Sequence, residues 1–83
     1  MKIDVKMFAA ARQYTSQAVV QVELEDRASV ADLKVALLQQ FPKLEPLAGH
    51  LTIAVDNDYV DDGCPLDENS EVAVIPPVSG GAW

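Results

Sequence analysis

The segment Ser29–Pro42, SVADLKVALLQQFP, contains the clearest helix signal in the chain. Ser29 stands three residues before Asp32, which is the spacing of a capping box, and an acidic residue in the first turn suits the helix dipole. The apolar residues that follow fall on one face at helical spacing: Val30, Leu33, Leu37 and Phe41. Since a residue before proline is disfavoured in the α conformation, Pro42 ends the helix at or just before Phe41. We therefore predict one amphipathic helix over Val30–Phe41.

Stretches of alternating apolar and polar residues lie on both sides of this helix, as expected for β-strands with one buried face. Two precede the helix, at Lys2–Phe8 and around Val20–Leu24, and can pair as a hairpin. Three follow it, at Leu51–Val55, around Tyr59-Val60 and at Glu71–Ile75. One helix on one face of such a mixed sheet is an α+β arrangement, and this order of elements suggests a β-grasp fold.

The 83 residues provide for one domain. We assign residues 1–77 to the β-grasp domain and residues 78–83 to a flexible C-terminal tail. Between the first two strands, AARQYTSQ is expected to be a polar connection with room for a short helical turn. The core is expected to consist of inward-facing residues of the strands and the helix: Ile3, Val5, Val22, Leu33, Leu37, Ile53 and Val74.

The balance of charges restricts the partners of this chain. With 13 acidic and 6 basic residues it has a net charge of −7, which argues against nucleic acid and anionic membranes and favours basic protein surfaces.

A single cysteine excludes an internal disulfide framework. No stretch approaches the roughly 18–20 apolar residues of a membrane span, and the start, MKIDVKMF, is not expected to be a signal peptide. We therefore expect a cytoplasmic protein.

Residues able to perform catalysis or bind a metal are scarce. His50 and Cys64 are the only histidine and cysteine, and they lie in separate loops, so we interpret them as loop residues rather than as a base and a nucleophile. The acidic segment DNDYVDD lacks the glycine and glutamate positions of a calcium-binding loop and is interpreted as a solvated surface. No metal or cofactor site is expected.

Apolar residues also occur on the face of the sheet that points away from the helix. Phe8 and Ile75 are out of phase with the core residues of their own strands. If the first and last strands are neighbours, as in a β-grasp fold, these two residues share one surface, with Ala54 and Ala73 beside them and Tyr59 near the rim. Such a cluster marks a protein-binding patch, although scattered surface apolar residues are also common. The pattern alone leaves both interpretations open.

The tail PPVSGGAW, Pro76–Trp83, begins with two prolines that end the last strand because neither has an amide hydrogen for the ladder. Prolines favour a stiff, extended exit from the sheet, whereas Gly80 and Gly81 add no side-chain bulk. The residues from Pro77 to Gly81 can span about 15 Å. Such a tail can carry an end group into the active site of a partner; an ordinary frayed end is the alternative.

Four segments together resemble one family: FAAARQY, SVADLKVALLQQFP, LTIAVDNDYV and PLDENSEVAVIPPVSGG. In order and spacing, Lys2–Gly81 is similar to the MoaD/ThiS family of ubiquitin-like sulfur carriers, and the double proline places the chain nearest to the molybdopterin synthase small subunits. The alternatives are a ThiS-like carrier that serves thiamine or another sulfur-containing product, and a β-grasp interaction module that carries no sulfur.

The resemblance implies a sulfur-transfer mechanism with several partners. An E1-like, MoeB-like enzyme uses ATP to adenylate the carboxylate of the terminal glycine, and a sulfur donor converts the adenylate to a thiocarboxylate. The carrier then binds the large, MoaE-like subunit of the synthase in a heterotetramer. There it delivers sulfur to cyclic pyranopterin monophosphate to form the molybdopterin dithiolene. The carrier itself is implied to be a non-catalytic subunit without a bound cofactor.

The same resemblance assigns a docking role to individual residues. Phe8 matches a docking phenylalanine of the family. Tyr59 and Ile75 occupy two further docking positions, at which leucine and phenylalanine are usual. Pro76 and Pro77 are assigned to the same contact with the partner.

The resemblance also assigns the reactive end. Gly81 matches the glycine that becomes the thiocarboxylate, and Gly80 matches the glycine before it. In this sequence Gly81 is joined to Ala82-Trp83 by a peptide bond, whereas adenylation needs a free carboxylate. We therefore expect a precursor that a protease cleaves between Gly81 and Ala82. The alternatives are a variant that never carries sulfur and a tail that blocks the pocket of the partner.

Overall fold

The computed structural model describes residues 1–47 and 49–75. Within these residues lie five strands, β1 (Lys2–Met7), β2 (Val19–Glu23), β3 (Thr52–Val55), β4 (Asp58–Val60) and β5 (Val72–Ile75), and two α-helices, α1 (Ala9–Thr15) and α2 (Val30–Gln40). A 3₁₀ helix, Pro42–Leu47, follows α2. The tail to which the resemblance assigns the sulfur chemistry, from Pro76 to Trp83, lies outside the described residues.

The strands form one mixed sheet in the order β2-β1-β5-β3-β4. β1 and β2 pair as an antiparallel hairpin, with Ile3 opposite Val22, and β5 lies parallel to β1, with Val5 opposite Val72. β3 pairs antiparallel with both β5 and β4. This topology confirms the predicted β-grasp fold and places the first and last strands side by side.

The inner face of the sheet and the apolar side of α2 form the core. The residues predicted for it are confirmed, since each is at most 1% exposed: Ile3, Val5, Val22, Leu33, Leu37, Ile53 and Val74. Leu44 from the 3₁₀ helix and Leu66 from the loop after β4 also belong to the core, although they were not predicted. Their segments have no regular apolar period, so periodicity could not identify them.

The N-terminus of α2 is held both by its own side chains and by the loop of residues 61–66. The predicted capping box is present, because Asp32 N–H donates to Ser29 Oγ and Ser29 N–H donates to Asp32 Oδ2 at 2.9 Å. Ala31 N–H donates to Asp62 O at 3.0 Å, and Lys34 Nζ contacts Asp62 Oδ1 at 2.7 Å. Asp62, predicted to belong to a solvated acidic segment, therefore ties this loop to a helix whose first amides need acceptors.

The helices have 7 and 11 residues, and within the described residues no helix is long and apolar enough to cross a membrane. α1 is longer than the short turn predicted between the first two strands. Its alanine run has a high helix propensity, and Thr15 Oγ1 donates to Ala11 O at 3.0 Å. α2 ends one residue before the predicted end, because Phe41 takes the C-cap position with φ −129° and ψ 78°, in agreement with the restriction imposed by Pro42.

Leu37→Ala tests the packing of α2 on the sheet. Leu37 is fully buried, so we expect the truncation to lower the free energy of unfolding by about 2–5 kcal/mol. Val35→Ala is the matched control: Val35 lies on the same helix at 58% exposure, and its truncation should change stability by less than about 0.5 kcal/mol. Urea unfolding followed by circular dichroism measures both variants. Equal stabilities would show that the buried side of α2 is misassigned.

Candidate functional site

The face of the sheet opposite α2, called the outer face, is organised by strand register. One residue from each strand forms a row across it, in the order Val19, Lys6, Ala73, Ala54 and Tyr59. Side chains alternate between the two faces along a strand, so the neighbours of these residues, such as Val5 and Val74, point into the core. The outer face therefore presents a fixed pattern of side chains to the surroundings.

Of the five residues predicted to contact a partner, Phe8, Tyr59 and Ile75 lie together on this face, and Pro76 and Pro77 lie outside the described residues. In the parallel pairing of β1 with β5, Met7 is opposite Val74, which places Phe8 beside Ile75. Phe8 is 45% and Tyr59 is 73% exposed, and together with Ile75 they line one concavity of the surface. We define the outer patch as Phe8, Ala54, Tyr59, Ala73 and Ile75. Its role in docking stays a prediction at this point.

The middle of the outer patch is a depression of about 270 Å³. Ala54 and Ala73 are opposite each other on β3 and β5, and their small side chains form its floor. Six larger side chains form its wall: Lys6, Phe8, Asn57, Tyr59, Glu71 and Ile75. Ala54 is only 7% exposed although it faces outward, because bulkier neighbours shield it. Alternation along the sequence does not reveal such shielding.

The polar part of the wall is held by hydrogen bonds between strands. Lys6 Nζ donates to Glu71 Oε1 at 3.2 Å, and the two side chains are 50% and 59% exposed. Glu71 N–H donates to Asp56 Oδ1 at 3.0 Å, and Asp56 N–H donates to Glu71 O at 2.9 Å. An exposed ion pair contributes about 0–1 kcal/mol to stability, so Lys6 and Glu71 affect the charge of the surface more than the fold. They were absent from the predicted site because only the register of β1 and β5 brings them together.

Two backbone turns position the aromatic residues of the outer patch. Phe8 is extended, with φ −122° and ψ 153°, and Ala9 has φ 49°, a left-handed conformation that leads the chain from β1 into α1. At the opposite side of the patch, Asp56 and Asn57 have φ 51° and 72°, as in a two-residue type I′ hairpin. This tight turn leads into β4, whose middle residue is Tyr59.

His50 and Cys64 lie elsewhere. His50 is exposed after the 3₁₀ helix, and Cys64 is half-buried at the start of α2, where its carbonyl oxygen accepts a hydrogen bond from Val30 N–H at 3.0 Å. In residues 1–47 and 49–75, no group of three or more His, Cys, Asp or Glu side chains is placed to hold a metal ion. The candidate site is therefore the outer patch with its polar wall.

A β-grasp domain with one face covered by a helix and an outer face that presents exposed aromatic residues has the architecture of a ubiquitin-like protein. Comparison with known sequences then gives the family: the chain matches the ThiS family over residues 5–81 and belongs to it. The matched segment ends at Gly81, so Ala82 and Trp83 lie beyond it.

Individual relatives agree with this assignment. The chain is 34% identical to the molybdopterin synthase sulfur carrier subunit of Chlamydomonas reinhardtii over 83 residues, which cover 98% of this chain and 100% of the relative. Among solved structures it is similar to SAMP1 from Haloferax volcanii, with a TM-score of 0.85, 26% identity and coverage of 98% and 100%. The complex of subunits 1 and 2 of the molybdopterin-converting factor from Helicobacter pylori contains a chain of the same fold, with a TM-score of 0.69, 22% identity and coverage of 98% and 100%.

Proposed function

We propose that this chain is the sulfur carrier subunit of a molybdopterin synthase and that it carries sulfur as a thiocarboxylate on Gly81. The observation that carries the proposal is the similarity, over the whole length, to a relative of that name, together with a family match that reaches Gly81. The geometry supports it, because the outer patch includes Ile75, six residues before Gly81. A partner that covers the patch would therefore have the tail within its reach.

The proposed chemistry takes place at the carboxyl group of Gly81. An E1-like, MoeB-like enzyme joins this carboxylate to the AMP part of ATP and releases pyrophosphate. A sulfide-level nucleophile from the donor displaces AMP and leaves the thiocarboxylate. Two such thiocarboxylates supply the two sulfur atoms of the dithiolene formed from cyclic pyranopterin monophosphate, and each transfer returns Gly81 as a carboxylate. The chain holds no cofactor of its own in this scheme, since ATP is bound by the activating enzyme. We place these reactions in the cytoplasm, which supplies the ATP.

The outer patch is the proposed contact with the large, MoaE-like subunit of the synthase. In the Helicobacter pylori structure, subunit 1 of the converting factor is in complex with subunit 2. We infer such a complex for this chain and propose that it assembles as a heterotetramer. Exposed aromatic residues such as Phe8 and Tyr59 are the type that anchors protein interfaces. From a docked patch, the segment Pro77–Gly81 can extend about 15 Å into the partner. We assign Pro76 and Pro77 to the same contact.

We further propose that the chain is activated by proteolysis. The carbonyl group of Gly81 is bound to the nitrogen of Ala82, and an amide offers no carboxylate oxygen to attack ATP. An activating site shaped for Gly80-Gly81 would also meet the indole of Trp83 about 7 Å further along an extended chain. Cleavage after Gly81 by a protease removes both obstacles.

Thiocarboxylation in a purified system tests the carrier function and its activation together. Three proteins are compared: the untruncated chain, which ends at Trp83, and variants that end at Gly81 and at Ala82. Each is incubated with ATP, the activating enzyme and a sulfide source, and no protease is added. Because only one of them has a free glycine carboxylate, we expect only the Gly81 variant to gain the mass of an oxygen-to-sulfur exchange. Intact-mass spectrometry gives the readout.

Two outcomes would contradict these proposals. If the Gly81 variant shows no oxygen-to-sulfur exchange, the proposed sulfur-carrier function is wrong and an interaction module is favoured. Equally fast thiocarboxylation of the untruncated chain, at Trp83, would remove the need for proteolysis. A carrier for thiamine would also be thiocarboxylated, so transfer of its sulfur to cyclic pyranopterin monophosphate by the large subunit identifies the pathway.

Substitutions in the outer patch test the docking contact. Phe8→Ala or Ile75→Asp should weaken binding to the purified large subunit by about 2 kcal/mol or more, because buried apolar anchors often contribute that much. Val35→Ala, on the exposed side of α2, removes an apolar side chain elsewhere and should bind as the unmodified chain does. Calorimetric titration measures the affinity, and thermal unfolding verifies the fold. Equal affinities for all the variants would place the interface on another surface.

A further inference from the structure

We propose that the depression in the outer patch receives one arginine side chain of the partner, with the guanidinium group between the Tyr59 ring and the Glu71 carboxylate. This inference rests on the proposed docking to the large subunit and deepens it by naming the chemistry of the central contact. It accounts for two features that apolar anchors alone do not need: the floor of small side chains and the polar wall.

The depression has the dimensions of a receptor for a single side chain. It is a concavity of about 270 Å³ that is open on one side. The methyl groups of Ala54 and Ala73 form the floor, and a larger residue at either position would fill the space. A flat partner would leave water in it, whereas a projecting side chain would fill it at the packing density of an interface core. We therefore infer a projecting group on the partner.

The wall of the depression has an apolar and a polar side. Ala73 lies on β5 two residues before Ile75 and two residues after Glu71, which directly precedes the strand, so the floor separates an apolar neighbour from a charged one. A wholly apolar side chain of the partner would remove water from the Glu71 carboxylate without replacing the hydrogen bonds that the water donates. An arginine fits both sides, because its aliphatic stem packs on apolar surface while its guanidinium group stays with polar partners.

The polar side of the depression has an acceptor for a second cation beside Lys6. Lys6 and Glu71 line this side as an ion pair, and the Asp56 carboxylate, which accepts from Glu71 N–H, lies outside the lining. Among the hydrogen bonds of the described residues, Glu71 uses Oε1 for Lys6, which leaves Oε2 to accept from a second cation. The exposed ring of Tyr59 offers a face for a cation–π contact. A planar guanidinium group can stack on this ring and hydrogen-bond the carboxylate at once, which favours arginine over lysine.

The first test distinguishes the aromatic character of Tyr59 from its apolar volume. The measured quantity is the affinity of each variant for the purified large subunit. Tyr59→Leu keeps an apolar side chain and should weaken binding about 2- to 30-fold, the equivalent of a cation–π contact of about 0.5–2 kcal/mol. Tyr59→Phe keeps the ring and should bind within about twofold of the unmodified chain. Equal affinities for the Leu and Phe variants would overturn the proposal.

The second test addresses the carboxylate. Glu71→Gln should weaken binding about two- to fivefold and reduce the dependence of affinity on NaCl concentration. Asp4→Asn is the matched control, because it removes the same charge from the outer strand surface at a residue outside the depression. If both variants lose affinity and salt dependence equally, the effect is one of net charge and no specific ion contact exists at Glu71.

The third test fills the space. Ala73→Leu should weaken binding about tenfold or more because the leucine occupies the position of the partner side chain. Gln21→Leu adds the same residue on the same face outside the depression and should bind normally. Thermal unfolding of both variants verifies that the fold is retained. Unchanged affinity of a folded Ala73→Leu variant would show that nothing enters the depression.

The arginine itself is identified by double-mutant cycles between Tyr59→Leu and single Arg→Met substitutions on the large subunit. Substitution of one arginine should lower the affinity at least as much as Tyr59→Leu does, and adding Tyr59→Leu to that substitution should cause no further loss. No coupled arginine would overturn the inference. If the unmodified chain does not bind the large subunit, both the proposed function and this inference are overturned. If the chain binds normally and the substitutions at Tyr59, Glu71 and Ala73 leave its affinity unchanged, only this inference is overturned.

Discussion

The parallel pairing of β1 with β5 in the centre of the sheet determines where the functional surface lies. Val5 pairs with Val72 and Met7 with Val74, and all four side chains are at most 2% exposed. Because β5 also pairs with β3, it is held by ladders on both edges and by the core beneath it. The strand that precedes the tail is therefore among the most firmly held elements of the described chain, and the same register sets Phe8 beside its last residue, Ile75.

This constraint suits a carrier that must be recognised by a partner and present a reactive end to it. One face of the sheet is used by α2 to form the core, which leaves the other face free to supply recognition. The outer patch combines exposed aromatic side chains with a depression and a charged wall, so it offers shape and charge as well as apolar area. On the proposed function the catalytic groups belong to the partners, and this chain contributes a recognition surface and the carboxyl group of Gly81.

Features that follow from a local sequence pattern were predicted, whereas features that follow from the register between distant strands were mostly missed. The capping box at Ser29 and the apolar period of α2 are local, and both were predicted, as was the alternation of the strands. The length of α1 was underestimated because its alanine run lies among polar residues. The depression was not predicted, since the burial of Ala54 and the ion pair of Lys6 with Glu71 require knowledge of which strands are neighbours. Phe8, Tyr59 and Ile75 were expected near one another because the β-grasp order supplied that knowledge, and they line one concavity, whereas their docking role stays a prediction.

The central claim is that the outer face, and not the helical face, meets the partner. Amide chemical shifts of the ¹⁵N-labelled chain, titrated with the unlabelled large subunit, test it most directly because every strand and helix reports separately. The account predicts that the largest changes map to Phe8, Tyr59 and the β5 residues Ala73 and Ile75, while the amides of α2 stay unchanged. Changes concentrated on α2 or the 3₁₀ helix, with the outer patch unaffected, would contradict it.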